Sequence, residues 1–210
     1  AGDSPTLRDY VIGCGVMQPV LTLLATATRP SLMRNAAWAL SNFCRGKPGP
    51  AFETVRCAIP TISQLLYHHD VDVLTDACWA LSYLSDGGNE RIVALIESGL
   101  ARRVAELLGH PHTAVQTPAL RTIVNIATGD APQTQTVVNV GALPALLGLF
   151  TSHKKSIRKE ACWTASNLTA GTKKQIQAVI DAGLIPALLE LMGRGEFEVK
   201  KEAAWAVSQA

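Results

Sequence analysis

A short segment with a tryptophan, followed one helical turn later by an asparagine, recurs along this sequence at a nearly constant interval. Trp38 and Asn42 give the first copy, and the same frame returns at positions 79, 121, 163 and 205, each 41 or 42 residues after the last. A fixed period of this size, filled with helical patterns, is typical of stacked helical repeats that bury their apolar faces against their neighbours. The sequence therefore predicts five copies of one repeat.

Glycine and proline divide each copy into a short first helix and two longer ones. We expect an all-α solenoid with three helices in each repeat of about 42 residues, arranged as a single array over residues 1–210. The predicted repeats lie at about 4–46, 50–86, 88–128, 130–170 and 172–210. Because Ala210 falls in the middle of a predicted helix, the fifth repeat is expected to be incomplete and the chain to be an internal piece of a longer array.

Composition and charge limit the classes of function. Of the 210 residues, 48% are hydrophobic and 17% are charged, which is typical of a well-packed chain. The net charge of +2 is close to balance and the lysine pairs are isolated, whereas a nucleic-acid binder needs a basic stripe. Nucleic acid is therefore not an expected partner. A membrane is not expected either, because the sequence has no signal-peptide pattern and no long uncharged apolar stretch. Five cysteines without a C-x-x-C pair favour reduced thiols in the cytosol or nucleus.

The side of the third helix that carries the tryptophan is predicted to be exposed. At about 100° per residue, one side of this helix in the first repeat holds Arg34, Asn35, Trp38, Asn42 and Arg45. The opposite side is apolar and is predicted to face the core, with Leu32, Met33, Ala36, Leu40, Phe43 and Cys44. We call the tryptophan and asparagine positions of the five repeats the Trp/Asn ladder. Burial of the tryptophans in the core is the structural alternative, because aromatic side chains dominate cores.

An exposed Trp/Asn ladder predicts an extended basic peptide as its ligand. An asparagine amide can donate to and accept from a peptide main chain without reading its sequence. Slots between indole rings suit the methylene stems and the charges of lysine and arginine. Three residues before the tryptophan, on the same side of the helix, stand Asp76, Glu160 and Glu202, whose carboxylates can neutralise a bound cation.

Three stretches resemble the armadillo repeats of the importin-α family, whose members carry nuclear localisation signals. They are SNFCRGK at 41–47, LTDACWALSYL at 74–84 and KEACWTASN at 159–167. The resemblance implies a right-handed superhelical armadillo solenoid that acts as a nuclear import adaptor, shuttles between cytoplasm and nucleus, and binds lysine- and arginine-rich signals in its groove. It also implies importin-β as a partner, through a segment that is absent here, and an export factor at the C-terminal end.

In the importin-α family the groove has a major site over early repeats and a minor site over later ones. By resemblance, the part of the major site in this chain comprises Asp3, Asn35, Trp38, Asn42, Asp76 and Trp79. The minor site maps onto Arg121, Asn125, Asp130, Glu160, Trp163, Ser166, Asn167, Glu202 and Trp205. The ladder lapses between them, because Tyr83 replaces an asparagine and Arg121 replaces a tryptophan. Gln209 stands at the last asparagine position.

Two other classes of function remain open at this point. An enzyme needs a convergent site, but His68-His69 and His110/His112 lie in turns, and no cysteine or carboxylate stands near His110/His112 to complete a metal site. Cys14 has no recognisable base partner. Catalysis, a metal and a cofactor are therefore not expected. A β-catenin-like scaffold would bind a different, acidic extended segment, and the acids before the tryptophans argue against it.

Overall fold

The structure is a computed structural model and describes residues 4–210, which form helices and contain no strand. The α-helices of this part of the chain are α1 (Pro5–Gly13), α2 (Met17–Thr26), α3 (Pro30–Cys44), α4 (Phe52–Val55), α5 (Ile59–Leu65), α6 (Val71–Ser85), α7 (Asn89–Glu97), α8 (Leu100–Leu107), α9 (Thr113–Ala127), α10 (Ala131–Asn139), α11 (Ala142–Leu149), α12 (Lys155–Thr169), α13 (Lys173–Asp181), α14 (Leu184–Arg194) and α15 (Phe197–Gln209). A 3-10 helix, Arg56–Ala58, follows α4. The predicted all-α fold with three helices in each repeat is confirmed.

Four of the five repeats use a glycine to pass from the first helix to the second. Gly15, Gly99, Gly141 and Gly183 have φ angles of 84°, 75°, 78° and 73°. A Cβ at any of them would meet no atom within 4 Å, so the left-handed backbone, rather than lack of space, requires glycine there. The four turns therefore share one left-handed backbone conformation at the glycine.

The second repeat lacks this glycine, and its first helix differs from the prediction. Each repeat was predicted to begin with one short helix, but here α4 ends after one turn and continues as the 3-10 helix. Pro48 and Pro50 precede α4, and Pro60 lies in the first turn of α5. Proline cannot donate a backbone hydrogen bond, so these residues leave too short a stretch for a full helix.

The contacts within the chain divide it into two compact units, residues 1–100 and 101–210. In the first unit, α3 packs along α6, with α2 and α5 against their sides. In the second unit, α12 lies between α9 and α15, and α14 packs on α15. The third helices thus form the centre of each unit. One continuous array over residues 1–210 stays a prediction.

The apolar side of the third helix is mostly buried as predicted, although Met33 is only partly buried. Ala36, Leu40, Phe43 and Cys44 are all buried in the first unit. The prediction is wrong for Leu32, which is 40% exposed. Leu32 lies in the first turn of α3, and the residues just before it are exposed as well, so this end of the helix extends beyond its packing partners.

No single helix in the described ranges has both the length and the apolar character needed to cross a membrane. Two bent pairs of consecutive helices, α1 with α2 and α13 with α14, would meet the requirement together by length and composition.

Candidate functional site

The tryptophans of the ladder lie on the outside of the packed helices. Trp38, Trp163 and Trp205 are 60%, 36% and 59% exposed, which confirms the predicted exposure of these three tryptophans. Trp79 is only partly exposed and stacks on Tyr83, with 5.6 Å between ring centroids and 23° between ring planes. The substitution of tyrosine for asparagine one turn later therefore covers the second tryptophan of the ladder.

The asparagines of the ladder are in different hydrogen-bonding states. Asn42 is buried, and its Nδ2 donates to the carbonyl of Trp38 at 3.0 Å, so the prediction of an exposed amide is wrong there. Its side chain folds back along its own helix because that carbonyl lies one turn earlier. Asn167 is partly buried, and its Nδ2 is fully buried without a hydrogen-bond partner in residues 4–210. Asn125 is partly buried, whereas Asn35 is exposed.

The three carboxylates that precede ladder positions also differ. Glu160 forms an ion pair with Arg121 of the preceding repeat. Burial raises the pKa of Glu160, and the nearby Arg121 guanidinium partly offsets that rise. Glu160 is therefore already neutralised by the chain itself.

Asp76 and Glu202 have no such cation. Neither side chain forms an ion pair within the described part of the chain, and both are partly buried. Burial raises the pKa of Asp76 to about 6, and the carboxylate of Asp72 one turn earlier adds to the rise. A ligand cation would find an unpaired negative charge beside Trp79 and beside Trp205.

Two predicted site residues support local structure instead. The hydroxyl of Ser166 is buried and donates to the carbonyl of Trp163 at 2.8 Å, while its place in a peptide site stays a prediction. Asp130 is the N-cap of α10 and accepts from the backbone N–H of Gln133 at 2.9 Å. The predicted site residue Asp3 lies outside the described residues.

A cavity of about 570 Å³ in the second unit lies beside Asn167, where α9 and α12 end. We call it the corner cavity. Its lining consists mainly of small residues, namely Ala127, Thr128, Gly129, Ala131, Thr134, Asn167, Ala170, Gly171, Thr172 and Gln175. The volume is ample for one long side chain and its water.

The helix ends around the corner cavity favour a cation. Ala127 is the last residue of α9 and Ala170 is the C-cap of α12, and both of these helices have 15 residues. Helix C-termini carry partial negative charge on unpaired carbonyls. The helices that begin beside the cavity, α10 and α13, have capping boxes at Asp130 and Thr172 that already satisfy N-terminal donors. The cavity therefore offers acceptors to an ammonium or guanidinium group.

Sequence reasoning missed this cavity because small side chains and backbone atoms form most of its wall. A recurring signal was present: glycine stands four residues before glutamine at Gly129/Gln133 and again at Gly171/Gln175. A Cβ on Gly129 would lie 1.8 Å from Gln133 Oε1, and a Cβ on Gly171 would lie 2.0 Å from Gln175 Oε1. The glycines are therefore required by the close approach of the glutamine side chains.

The histidines and cysteines form no competing centre in the described ranges. No group of three or more His, Cys, Asp or Glu residues between positions 4 and 210 could hold a metal ion. His68 and His69 stack on each other with ring centroids 4.6 Å apart. Burial raises the pKa of the Cys44 and Cys162 thiols to about 12, which disfavours a reactive thiolate at either position.

Comparison with known sequences gives matches over almost the whole chain. Five segments match the armadillo/beta-catenin-like repeat, at residues 4–45, 47–86, 88–128, 130–170 and 172–209. Importin subunit alpha-1a of Oryza sativa subsp. japonica is 57% identical over 127 residues, which cover 60% of this chain and 24% of that protein. Importin subunit alpha-B of Dictyostelium discoideum is 60% identical over 113 residues, 53% of this chain and 22% of that protein. The matched stretch thus spans less than a quarter of each relative.

Solved structures of armadillo proteins are similar to the chain over nearly its full length. A designed armadillo repeat protein in complex with the peptide (KR)4 has a TM-score of 0.91 and 28% identity, covering 99% of this chain and 87% of that chain. Computationally designed armadillo repeat proteins for modular peptide recognition give a TM-score of 0.92 and 26% identity, with the same coverage. The predicted armadillo fold class and the resemblance to importin-α are confirmed.

Proposed function

Since the chain belongs to the armadillo/beta-catenin-like repeat family, we propose that its Trp/Asn ladder binds extended basic peptides of the nuclear-localisation-signal type. The observation that carries the proposal is the amide of Asn167, which is buried without a partner at the edge of the corner cavity. An unsatisfied buried donor costs about 1–3 kcal/mol. A peptide carbonyl that accepts from Asn167 Nδ2 removes this cost, so this hydrogen bond favours binding of an extended peptide main chain.

Main chain and side chain are recognised separately in this proposal. Asn167 Nδ2 donates to a peptide carbonyl, and its Oδ1 accepts a peptide N–H, which holds an extended strand without reading its sequence. A neighbouring lysine side chain enters the corner cavity, where the carbonyls of two helix ends accept from its ammonium. Trp163, one turn before Asn167 and 36% exposed, packs against the methylene stem of a second basic residue.

The charges of the ladder support a basic ligand, though unequally along the chain. Asp76 and Glu202 form no ion pair in residues 4–210, so each gains a partner when a cation binds. Glu160 is already paired with Arg121, so a basic ligand gains less there. We therefore place the stronger cation preference near Asn167 and Glu202 rather than at Arg121.

At the level of the cell, we infer a nuclear import adaptor that binds and does not catalyse. The proposal is supported by similarity to importin alpha subunits of two distant organisms. It is also supported by the designed armadillo protein, whose bound peptide (KR)4 has the charge that this surface favours. The proposed partners are cargo signals, importin-β and an export factor, and the proposed location is the cytoplasm and the nucleus.

A peptide panel tests the proposal. Fluorescently labelled extended peptides of equal length, one lysine- and arginine-rich, one acidic and one neutral, are titrated with the chain and followed by anisotropy. Only the basic peptide is expected to bind. Preference for the acidic peptide would support a β-catenin-like scaffold instead, and equal binding of all three would contradict a charged groove.

A pair of matched variants links the binding to Asn167. Asn167→Ala is expected to weaken binding of the basic peptide about tenfold. It should not lower the free energy of unfolding and should raise it by up to about 1 kcal/mol, because it removes a buried Nδ2 donor that is unpaired in the free protein. Asn42→Ala removes an amide that already donates to Trp38, so it should lower stability by about 1 kcal/mol and affect binding less. A larger loss of affinity for Asn42→Ala would contradict the assignment.

A further inference from the structure

We propose that Gln175 is the specificity-determining residue that keeps the corner cavity open to a lysine side chain. An arginine at the equivalent position of another repeat fills the space that corresponds to the corner cavity. The inference rests on the proposed peptide-binding function and deepens it. Gln175 is the third residue after the N-cap Thr172 of α13, and Arg91 is the third residue after the N-cap Gly88 of α7. The two side chains therefore leave first helices at the same position in their repeats.

In the second unit, both polar atoms of the Gln175 amide form hydrogen bonds within the wall of the corner cavity. Gln175 Nε2 donates to the carbonyl of Ala131 at 2.8 Å, and Gln175 Oε1 accepts from the backbone N–H of Thr172 at 2.8 Å. The side chain is 1% exposed and adds no charge. The cavity of about 570 Å³ lies beside it, and Asn167 also lines this cavity. Gln175 thus ties two loops together and leaves the cation position vacant.

In the first unit, the equivalent corner contains its own cation. The guanidinium of Arg91 donates to the carbonyl of Pro50 and lies over the ring of Phe52, 5.3 Å from the centroid. Its stem is folded against Gly87, where an added Cβ would come within 2.4 Å of Arg91 Cδ. Arg91 therefore occupies, in the first unit, the space that corresponds to the corner cavity beside Gln175 in the second unit.

A second arginine takes further carbonyls of the same loop. Arg8, fully buried, donates through Nη1 to the carbonyls of Arg45 at 2.6 Å and Pro48 at 2.9 Å. In the second unit, the residues at the positions of Arg45 and Pro48 are Thr128 and Ala131, which line the corner cavity. In the second unit the carbonyl of Ala131 accepts from the uncharged amide of Gln175, so no internal guanidinium occupies the loop as it does in the first unit.

The neighbouring positions agree with this division. Tyr83 stands where Asn167 stands in the other unit, and Asp86 stands where Ala170 stands. Asp86 lies 3.5 Å from Lys47 Nζ, so its carboxylate also has an internal cation. Where the third residue of the first helix is an arginine, as at Arg91, cations of the chain itself pair with the acceptors beside it. Where it is a glutamine, as at Gln175, the cavity beside it stays open.

The test combines one substitution in the protein with one in the ligand. Each lysine of the basic peptide is replaced in turn by norleucine, which keeps the methylene stem and removes the ammonium. With the unchanged chain, one replacement is expected to weaken binding about tenfold or more, which identifies the lysine in the corner cavity. With Gln175→Arg, whose guanidinium fills the cavity, the same replacement is expected to change affinity less than about twofold.

Circular dichroism establishes that each variant is folded at the assay temperature, and Gln175→Lys provides the same internal cation on a more flexible stem where Gln175→Arg is unfolded. Gln177→Arg is the matched control, because it makes the same substitution at an exposed position of α13 that does not line the corner cavity, and it should preserve the norleucine effect. Norleucine sensitivity that survives both cationic variants would overturn the role of Gln175. No binding of the basic peptide to the unchanged chain would instead contradict the proposed function itself.

Discussion

At the scale of single residues, equal positions in the repeat carry unequal chemical states. Asn42 and Asn167 occupy the same position in their helices, but only Asn42 has its Nδ2 donor satisfied inside the chain. Glu160 and Glu202 likewise differ, because only Glu160 has an arginine beside it. The binding properties of a repeat therefore depend on what each side chain already contacts and not on its identity alone.

The carboxylate of Asp76 should make the stability of the chain depend on pH. Burial raises its pKa in the folded state to about 6, above the ordinary value of 3.8, so the folded state binds the proton more tightly than the unfolded state. The penalty of ionisation is complete above about pH 6 and disappears as the pH falls toward 4. Asp76→Asn should raise the free energy of unfolding at pH 8 by up to about 1 kcal/mol, allowing for solvent screening.

Urea unfolding of the unchanged chain and of Asp76→Asn at pH 8 and pH 5 measures this effect. The advantage of the variant should shrink at pH 5, where much of the Asp76 population is protonated. An advantage of equal size at both pH values would show that the substitution acts through packing or hydrogen bonding and not through ionisation.

How much could be predicted at this scale depends on whether helical geometry alone decides the outcome. The exposure of Trp38, Trp163 and Trp205 follows from their spacing relative to the apolar side of the helix. The burial of Asn42 and Ser166 does not, because each folds back to a carbonyl of its own helix. Small polar side chains choose between such local bonds and outward exposure according to the space beside the helix.

At the scale of helices and their connections, the close glycine–glutamine contact should be essential for the corner cavity. A Cβ on Gly171 would lie 2.0 Å from Gln175 Oε1 and 3.1 Å from the carbonyl of Leu168. Gly171→Ala should therefore displace Gln175 from its capping box and from Ala131. The expected loss of stability is about 1–2 kcal/mol, as for the loss of a helix cap together with a buried hydrogen bond.

The matched control for Gly171→Ala is Gly148→Ala in the exposed surface of α11. A Cβ there would have no atom within 4 Å. Alanine in a helix interior is favoured over glycine by about 0.5–1 kcal/mol, so this variant should be slightly more stable. Chemical unfolding of both variants measures the difference, and equal effects of the two substitutions would contradict a specific contact at Gly171.

Helix order was predictable from the repeat period, whereas the contents of the connections were not. The period fixes three helices per repeat, and the glycine between first and second helices fixes most of the turns. The second repeat departs from the prediction because Pro48 and Pro50 restrict the chain just before α4. The corner cavity also escaped prediction, since backbone and small side chains form most of its wall and the spacing of Gly171 and Gln175 does not by itself indicate a cavity.

At the scale of the whole molecule, the balance of charge means that attraction for a basic peptide must be local. The chain carries a net charge of +2, which by itself repels a basic ligand slightly. Binding must then depend on individual carboxylates and helix ends close to the ligand. The proposed preference for lysine and arginine is therefore compatible with a chain that has more basic than acidic residues.

Local attraction of this kind should be sensitive to salt. The Debye length is about 10 Å at 0.1 M salt and about 3 Å at 1 M, so charges at a partly exposed groove are strongly screened at high salt. Affinity for the basic peptide should fall steadily between about 0.05 M and about 0.5 M NaCl, whereas the free energy of unfolding should change little, because exposed ion pairs contribute only about 0–1 kcal/mol.

Glu202→Gln should make this dependence on salt less steep, because it removes an unpaired carboxylate beside Trp205. Glu97→Gln makes the same change of charge at an exposed position at the end of α7, and it should leave the slope of affinity against salt unchanged. Anisotropy titrations of the three proteins at matched salt concentrations give the slopes. Equal reductions in both variants would mean that net charge controls binding. Affinity independent of salt would mean that the carboxylates do not contact the peptide, and that binding depends only on the main-chain contacts of Asn167 and the helix ends around the corner cavity.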